Sequence, residues 1–146
     1  MIAVLQRVRH AKVEVAGRII GSIDQGLLLL VCAEPDDGEL QAEKLINKVL
    51  KLRIFSDTAG KMNLSLQDVG GGLLIVSQFT LAADCSGGNR PSFTGAARPE
   101  AGKQLYEHCL QTARRLHPQV ASGEFGADMQ ISLINDGPVT IPLRIS

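Results

Sequence analysis

Two short runs of this 146-residue chain are apolar at every position, and they constrain its fold more than any other feature. The first covers residues 27–32 (Leu-Leu-Leu-Leu-Val-Cys) and the second covers residues 73–76 (Leu-Leu-Ile-Val). Short apolar runs without alternation are typical of strands that are covered on both faces. The sequence therefore predicts a sheet that contains two buried strands.

Alternating segments on either side of these runs predict the rest of the sheet. Residues 2–15 predict a strand that begins with alternating residues, residues 16–18 (Ala-Gly-Arg) supply a turn, and residues 19–23 return to complete a β-hairpin. Residues 129–134 and 139–145 alternate again, and the segment between them, Asn-Asp-Gly-Pro, predicts a turn. Residues 53–55 predict a short strand, which a polar loop follows as far as the three glycines at 70–72.

Helical periodicity occurs in two places. Asp36 followed by Glu39 resembles a capping box, and apolar residues recur at helical spacing behind it, so a first helix is predicted over residues 38–52. Pro99 and Glu100 mark the start of a second helix, whose predicted buried stripe is Leu105, Cys109, Ala113 and Leu116 and which ends at His117-Pro118. No linker or repeat divides residues 1–146. The prediction is one compact α/β domain with mostly antiparallel strands and two main helices.

Composition limits the classes of function. The formal net charge is zero and aromatic residues make up 3% of the chain, which disfavours a general nucleic-acid-coating protein. The three cysteines form no CxxC pair, so a reducing cytoplasm is expected, without a disulfide framework or zinc site. No stretch approaches the roughly 20 apolar residues that span a bilayer. We expect a cytoplasmic protein that is not embedded in a membrane.

The familiar catalytic patterns are missing. His10, His108 and His117 have no metal-ligand spacing and no GxSxG context, and the glycines around residues 70 and 87 lack the pattern of a P-loop or a dinucleotide fingerprint. The pair Asp36 and Asp37 is better interpreted as a helix cap than as an acid and a base. We therefore expect neither a metal nor a cofactor.

Two polar segments remain as candidates for a site. One follows the second buried strand and offers hydroxyls, an amide and consecutive backbone N–H groups, the parts of an oxyanion hole: Ser77, Gln78, Phe79 and Thr80. The other is Gly137-Pro138 between the last two strands. From composition alone, each also has an ordinary interpretation, as a strand end and as a turn.

These two segments resemble the signature motifs of the D-aminoacyl-tRNA deacylase family. Residues 77–84 (SQFTLAAD) and 135–140 (NDGPVT) occur together and in order. Similarity extends to residues 2–8, to 53–57 with 61–64, to 90–93 (RPSF) and to 125–130 (FGADMQ), and so covers essentially the whole chain. This number of motifs in sequence makes the resemblance specific.

The resemblance implies a barrel-like sheet and a homodimer with active sites at the subunit interface. It implies that a cis Gly137-Pro138 bond of one subunit enters the pocket of the other, where main-chain carbonyls exclude L-aminoacyl groups. The implied substrates are the 3′ ends of D-aminoacyl-tRNA and of mischarged glycyl-tRNA. Arg7 is implied to tether the cis turn, and Phe125 and Met129 to line the pocket of the terminal adenosine. The ordinary alternatives are that Arg7 is a charged residue on the surface and that Phe125 or Met129 is buried only because it belongs to an alternating strand.

Two mechanisms are open. Thr80 could be a nucleophile, although no histidine or lysine near it in sequence would activate it. The resemblance favours the second, in which the adjacent 2′-OH of the tRNA assists an attacking water while N–H groups near Phe79 and Thr80 bind the oxyanion. Rival functions are a nucleic-acid-binding platform, which a local basic strip of Arg7, Arg9 and Lys12 favours, and a metal- or thiol-dependent hydrolase.

Overall fold

A computed structural model describes all residues, 1–146. The strands are β1 Ile2–Val15, β2 Arg18–Ile23, β3 Gly26–Cys32, β4 Phe55–Ser56, β5 Met62–Leu64, β6 Gly72–Ser77, β7 Val120–Ser122 and β8 Gln130–Arg144. The helices are α1 Glu39–Lys51, α2 Leu66–Val69 and α3 Pro99–Leu116, and a 3-10 helix covers Phe79–Ala82. None of the helices is long and apolar enough to cross a membrane.

The main sheet has six strands in the order β2-β1-β3-β6-β7, with β8 also paired to β1. β1 is antiparallel to β2, β3 and β8, whereas β6 is parallel to both β3 and β7. The sheet curls until its two ends almost meet. Their closeness is evident at Gly21 in β2, where an added Cβ would lie 2.5 Å from the carbonyl oxygen of Ser122 in β7. The predicted α/β fold with a mostly antiparallel, barrel-like sheet and two main helices is confirmed.

The curled sheet explains why the two apolar runs lack alternation. Leu27, Leu29 and Val31 of β3 face a core shared with the helices, while Leu28 faces a second core inside the barrel. β6 divides in the same way, with alternate residues in the two cores. Both faces of these strands are therefore buried, as the runs predict.

The helices match their predicted positions, but the first is capped differently. The Gly38 N–H donates to the Gln41 Oε1 at 2.8 Å, and Gly38 is the N-cap. Asp37 instead accepts hydrogen bonds from the Glu34 N–H and from the Met1 ammonium group, so the predicted capping box at Asp36 is wrong. In α3 the stripe is wider than predicted and includes Tyr106, whereas Leu116 is only half-buried.

Besides the 3-10 helix at Phe79–Ala82, three elements were absent from the sequence prediction. The supposed polar loop holds β5 and α2, the latter capped by the Ser65 hydroxyl, which accepts a hydrogen bond from the Asp68 N–H at 3.1 Å. β7 is the third. The predicted turn before Val139 is instead a bulge inside β8. Val8 of β1 pairs with Asn135 and Gln6 pairs with Thr140, so β8 has three more residues than β1 between these two pairs.

Candidate functional site

An apolar cleft of about 400 Å³ opens where the parallel strands β3 and β6 end. The carboxyl ends of parallel strands meet at one edge of a sheet, and ligands commonly bind outside that edge. Residues at and just after the ends of the two strands form one wall: Cys32, Ala33, Ser77, Gln78 and Phe79. The start of α3, with Gly102 and Tyr106, and the residue Phe125 form much of the other.

Three of the four residues predicted to form an oxyanion hole line this cleft, Ser77, Gln78 and Phe79, and Thr80 follows them just outside the lining. The Gln78 N–H donates to the Val31 carbonyl at 2.8 Å, which ties the end of β6 to the end of β3. The chain then turns directly into the 3-10 helix that begins at Phe79. As a result, the N–H groups of Phe79 and Thr80 donate to no group in the chain. Two consecutive free N–H groups beside a cleft can stabilise a developing oxyanion.

Thr80 has no general base. Its hydroxyl is exposed and accepts a hydrogen bond from the side-chain amide of Gln78, a group that cannot deprotonate it. Two of the three histidines are engaged elsewhere, because His108 contacts Glu43 at 3.0 Å and the buried His117 contacts the Gly71 carbonyl, and His10 is exposed on β1. The surroundings of Thr80 therefore suit positioning better than nucleophilic attack.

Aromatic rings give the cleft its shape. Tyr106 donates from its hydroxyl to the Ile75 carbonyl at 2.7 Å, and burial raises the pKa of this phenol to about 12. Its ring centroid lies 6.0 Å from that of Phe125. At the mouth, Phe79 and Phe93 meet edge to face with centroids 5.2 Å apart. Such walls accommodate a flat, largely apolar group.

Cys32 lies in the cleft wall but is a poor nucleophile. Burial, reinforced by the nearby Glu34 carboxylate, raises the pKa of its thiol. The thiol donates weakly to the carbonyls of Ala33 and Phe79. A thiol with a raised pKa stays protonated at neutral pH, and only the thiolate attacks esters efficiently.

Gly137 and Pro138 occupy the exposed tip of the β8 bulge, and the peptide bond between them is cis. Neither lines the cleft of its own chain. The Asn135 side chain bridges the base of the bulge, since its Oδ1 accepts from the Val139 N–H at 2.8 Å and its Nδ2 donates to the Thr140 hydroxyl at 3.0 Å. The tip therefore projects from a braced strand.

Arg7 supports this tip from behind. It is 9% exposed, and its guanidinium donates from Nε to the Asp136 carbonyl at 2.9 Å and from Nη1 to the Ile54 carbonyl at 2.7 Å. Arg7 is therefore not an ordinary charged residue on the surface, and that alternative interpretation is wrong. The charge of the basic strip is partly offset, because Arg7 and Arg9 share the Asp136 carboxylate within 4 Å and Lys12 pairs with Glu14.

Comparison with known proteins agrees with these motifs. The family model described as D-Tyr-tRNA(Tyr) deacylase matches residues 4–144. The chain belongs to this deacylase family. A relative from Polaromonas naphthalenivorans (strain CJ2), named D-aminoacyl-tRNA deacylase, is 66% identical over the whole of this chain and 98% of its own length. One of the same name from Methylibium petroleiphilum (strain ATCC BAA-1232 / LMG 22953 / PM1) is 68% identical over 99% of this chain and 95% of its own.

A solved structure of a protein named c-Myc DNA Unwinding Element Binding Protein has the same fold. Its TM-score is 0.92 at 38% sequence identity, and the match covers 99% of this chain and 98% of the other. A protein with this fold is therefore named for DNA binding and not for deacylation. An assay of this chain must therefore distinguish catalytic turnover from binding alone.

Not every residue predicted for the deacylase site lies in the cleft. Phe125 does, whereas Thr80 and Met129 are outside the lining, and Met129 packs toward Gly123 and the core inside the barrel. Several lining residues were missed, including Cys32, Phe93 and Tyr106. Tyr106 could have been found, because it precedes Cys109 of the predicted stripe by three residues and so shares its face of the helix.

Proposed function

We propose that this chain hydrolyses the ester that joins a D-amino acid to the 3′ end of tRNA, releasing the free D-amino acid and tRNA. The observation that carries the proposal is the pair of free N–H groups of Phe79 and Thr80 beside the cleft, in a chain of the deacylase family. The ester is already activated relative to an amide. A site that orients water and stabilises negative charge suffices to cleave it.

In the proposed mechanism the tRNA supplies the group that the protein lacks. The vicinal 2′-OH hydrogen-bonds the attacking water, whose oxygen forms a bond to the ester carbon. The N–H groups of Phe79 and Thr80 hold the resulting oxyanion, and each such donor is worth about 2.7–4 kcal/mol. The C–O bond to the ribose then breaks, and the departing 3′-oxygen takes up the proton that the water has lost. Thr80 positions the substrate or the water.

The cleft suits the terminal adenosine of the tRNA. A purine is flat and has apolar faces, and Tyr106 and Phe125 provide aromatic surface on one wall while Phe93 provides it at the mouth. Stacking of one base on such side chains contributes about 1–3 kcal/mol in other nucleic-acid complexes. Binding the base here leaves the ester near the residues that follow β6.

Chirality is proposed to be read by a second copy of the chain. Gly137 and Pro138 are exposed and lie outside their own cleft, so a homodimer could insert this tip into the partner's cleft. Main-chain carbonyls from a braced tip would collide with an L side chain and leave the D position free. Glycine has no side chain to exclude, so glycyl-tRNA is a second proposed substrate. The proposed location is the cytoplasm.

The decisive experiment compares D-tyrosyl-, L-tyrosyl- and glycyl-tRNA with protein at one hundredth of the substrate concentration. We expect many turnovers on the D and glycyl esters and discrimination against the L ester of about 10⁴, which corresponds to roughly 5.4 kcal/mol. Sedimentation of the free protein should give a dimer. Equal hydrolysis of the D and L esters would contradict the chirality proposal.

The second candidate is a nucleic-acid-binding protein without turnover. The DNA-related name of the 38% identical structure favours it, whereas the ion pairs of Arg7, Arg9 and Lys12 weaken the basic strip that would have supported it. Stoichiometric retention of D-tyrosyl-tRNA without release of amino acid would favour this candidate. A thiol-dependent hydrolase would be inactivated by alkylation, and the protonated thiol of Cys32 argues against it.

A further inference from the structure

One face of α1 carries a row of unpaired positive charges. Lys44, Lys48 and Lys51 are spaced by four and three residues, so they share one side of the helix over about 10 Å. All three are exposed and none takes part in an ion pair. Together with Arg144 they line a shallow hollow, which we name the lysine hollow.

The acidic residues of α1 do not neutralise these lysines. Glu39 and Glu43 point to the other side of the helix, where both lie within 4 Å of His108 on α3. Arg144 is the only base of the hollow with an acidic partner, Glu34. Because the acidic and basic residues of α1 lie on different sides of the helix, the surface is locally positive although the net charge of the chain is zero.

The lysine hollow lies next to the cleft. Met1 lines the cleft, and its amino group donates at 2.7 Å to the carbonyl of Ile145, which lines the hollow. A second connection runs through Glu34, which follows the cleft residue Ala33 and contacts Arg144 at 2.9 Å. Residues that line the apolar cleft are therefore in direct or near contact with residues that line the basic surface.

We propose that the lysine hollow binds backbone phosphates of the tRNA arm whose terminal adenosine enters the cleft. This inference rests on the proposed deacylase function and adds a site to it. A stacked strand advances about 3.4 Å per phosphate, so a 10 Å row of ammonium groups matches roughly three phosphates. Lysine suits this role because it contacts phosphate as a point charge, without sequence preference.

The test uses full-length protein in which Lys44, Lys48 and Lys51 are replaced together by Gln, which retains helix propensity. The matched control replaces three exposed, unpaired bases elsewhere by Gln: Arg18, Lys61 and Arg115. Both variants lose the same charge. Each is assayed on D-tyrosyl-tRNA, on the D-tyrosyl ester of adenosine, which has no phosphates, and for binding of uncharged tRNA.

We expect the hollow variant to show a KM for D-tyrosyl-tRNA that is roughly tenfold higher, with unchanged kcat. The slope of its tRNA affinity against log salt should become shallower by about two, at 0.7–0.9 per lost phosphate contact. Hydrolysis of the adenosine ester should be unchanged. The control variant should match the wild type in all three measurements.

Equal loss in both variants would overturn the inference, because it would reflect overall charge. An unchanged salt slope in the hollow variant would also overturn it. A lower rate on the adenosine ester would indicate damage to the cleft and would count against it as well. Failure of the deacylase proposal is distinguishable, since the wild type would then hydrolyse neither ester while binding of uncharged tRNA still reports on the hollow.

Discussion

The buried guanidinium of Arg7 donates a 2.9 Å hydrogen bond to the main-chain carbonyl of Asp136, the residue directly before Gly137. The same side chain also binds the Ile54 carbonyl at 2.7 Å. One charged group therefore connects the tip of the β8 bulge to the segment after α1. Hydrogen bonds to charged groups stabilise more than neutral ones, and a buried carbonyl that loses its donor bears a desolvation cost.

Replacing Arg7 by Met should loosen the tip without emptying the space behind it. The change leaves two carbonyls without donors, so we expect the free energy of unfolding to fall by about 1–3 kcal/mol in urea titrations. The D-to-L activity ratio should fall too, because the selector is no longer held. Arg9→Met is the control: Arg9 is exposed and lies 3.8 Å from Asp136, so its effect should stay within about 0.5 kcal/mol. Similar losses in the two variants would contradict this role of Arg7.

Gly137→Ala should damage the same tip by a different route. Gly137 has φ +147, and an added Cβ would lie 2.7 Å from the Val139 side chain and 3.3 Å from Arg7 Nη2. Strain of this kind costs about 1–3 kcal/mol. We expect lower thermal stability and strongly reduced D-tyrosyl-tRNA hydrolysis. Gly87→Ala has open space around it and should leave both quantities unchanged. Full activity of Gly137→Ala would show that the tip tolerates displacement.

Much of the fold could be predicted from local sequence pattern, because a strand that is buried on two faces is apolar at every position. The runs that became β3 and β6, and the amphipathic stripe of α1, depend only on which neighbours are apolar. β7 has three residues and α2 has four, which is too short for any periodicity to develop. Their positions are set by tertiary contacts that local pattern does not encode.

The site was harder to predict, because its residues acquire their roles only in three dimensions. Gln78 and Val31 are 47 residues apart, and the hydrogen bond between their main chains is what places the free N–H groups at the cleft. The burial of Arg7 depends on a carbonyl 129 residues away. The segments themselves were found through resemblance to a family, and Met129 shows that a matched position can lie outside the cleft lining.

Thr80→Ala distinguishes the two mechanisms. If the hydroxyl only positions substrate or water, the variant should keep substantial activity on D-tyrosyl-tRNA, whereas a substrate that ends in 2′-deoxyadenosine should be hydrolysed far more slowly by the wild type. Thr58→Ala, at an exposed residue outside the cleft, controls for the substitution itself. Complete loss of activity in Thr80→Ala, together with normal turnover of the deoxy substrate, would make Thr80 the nucleophile.

Alkaline pH should destabilise the protein through two buried groups on α3. Burial raises the pKa of Cys109 from 9.0 and that of Tyr106 from 10.0, each to about 12. The unfolded chain therefore releases these protons first, so stability is fully present below about pH 9 and is lost as the pH rises toward 12. Tyr106→Phe should cost about 1 kcal/mol at neutral pH, through its lost hydrogen bond to Ile75, yet weaken the pH dependence above 10. Urea midpoints measured between pH 7 and 11.5 test this, with the exposed Cys85→Ala as the control; parallel curves for Tyr106→Phe and the wild type would contradict it.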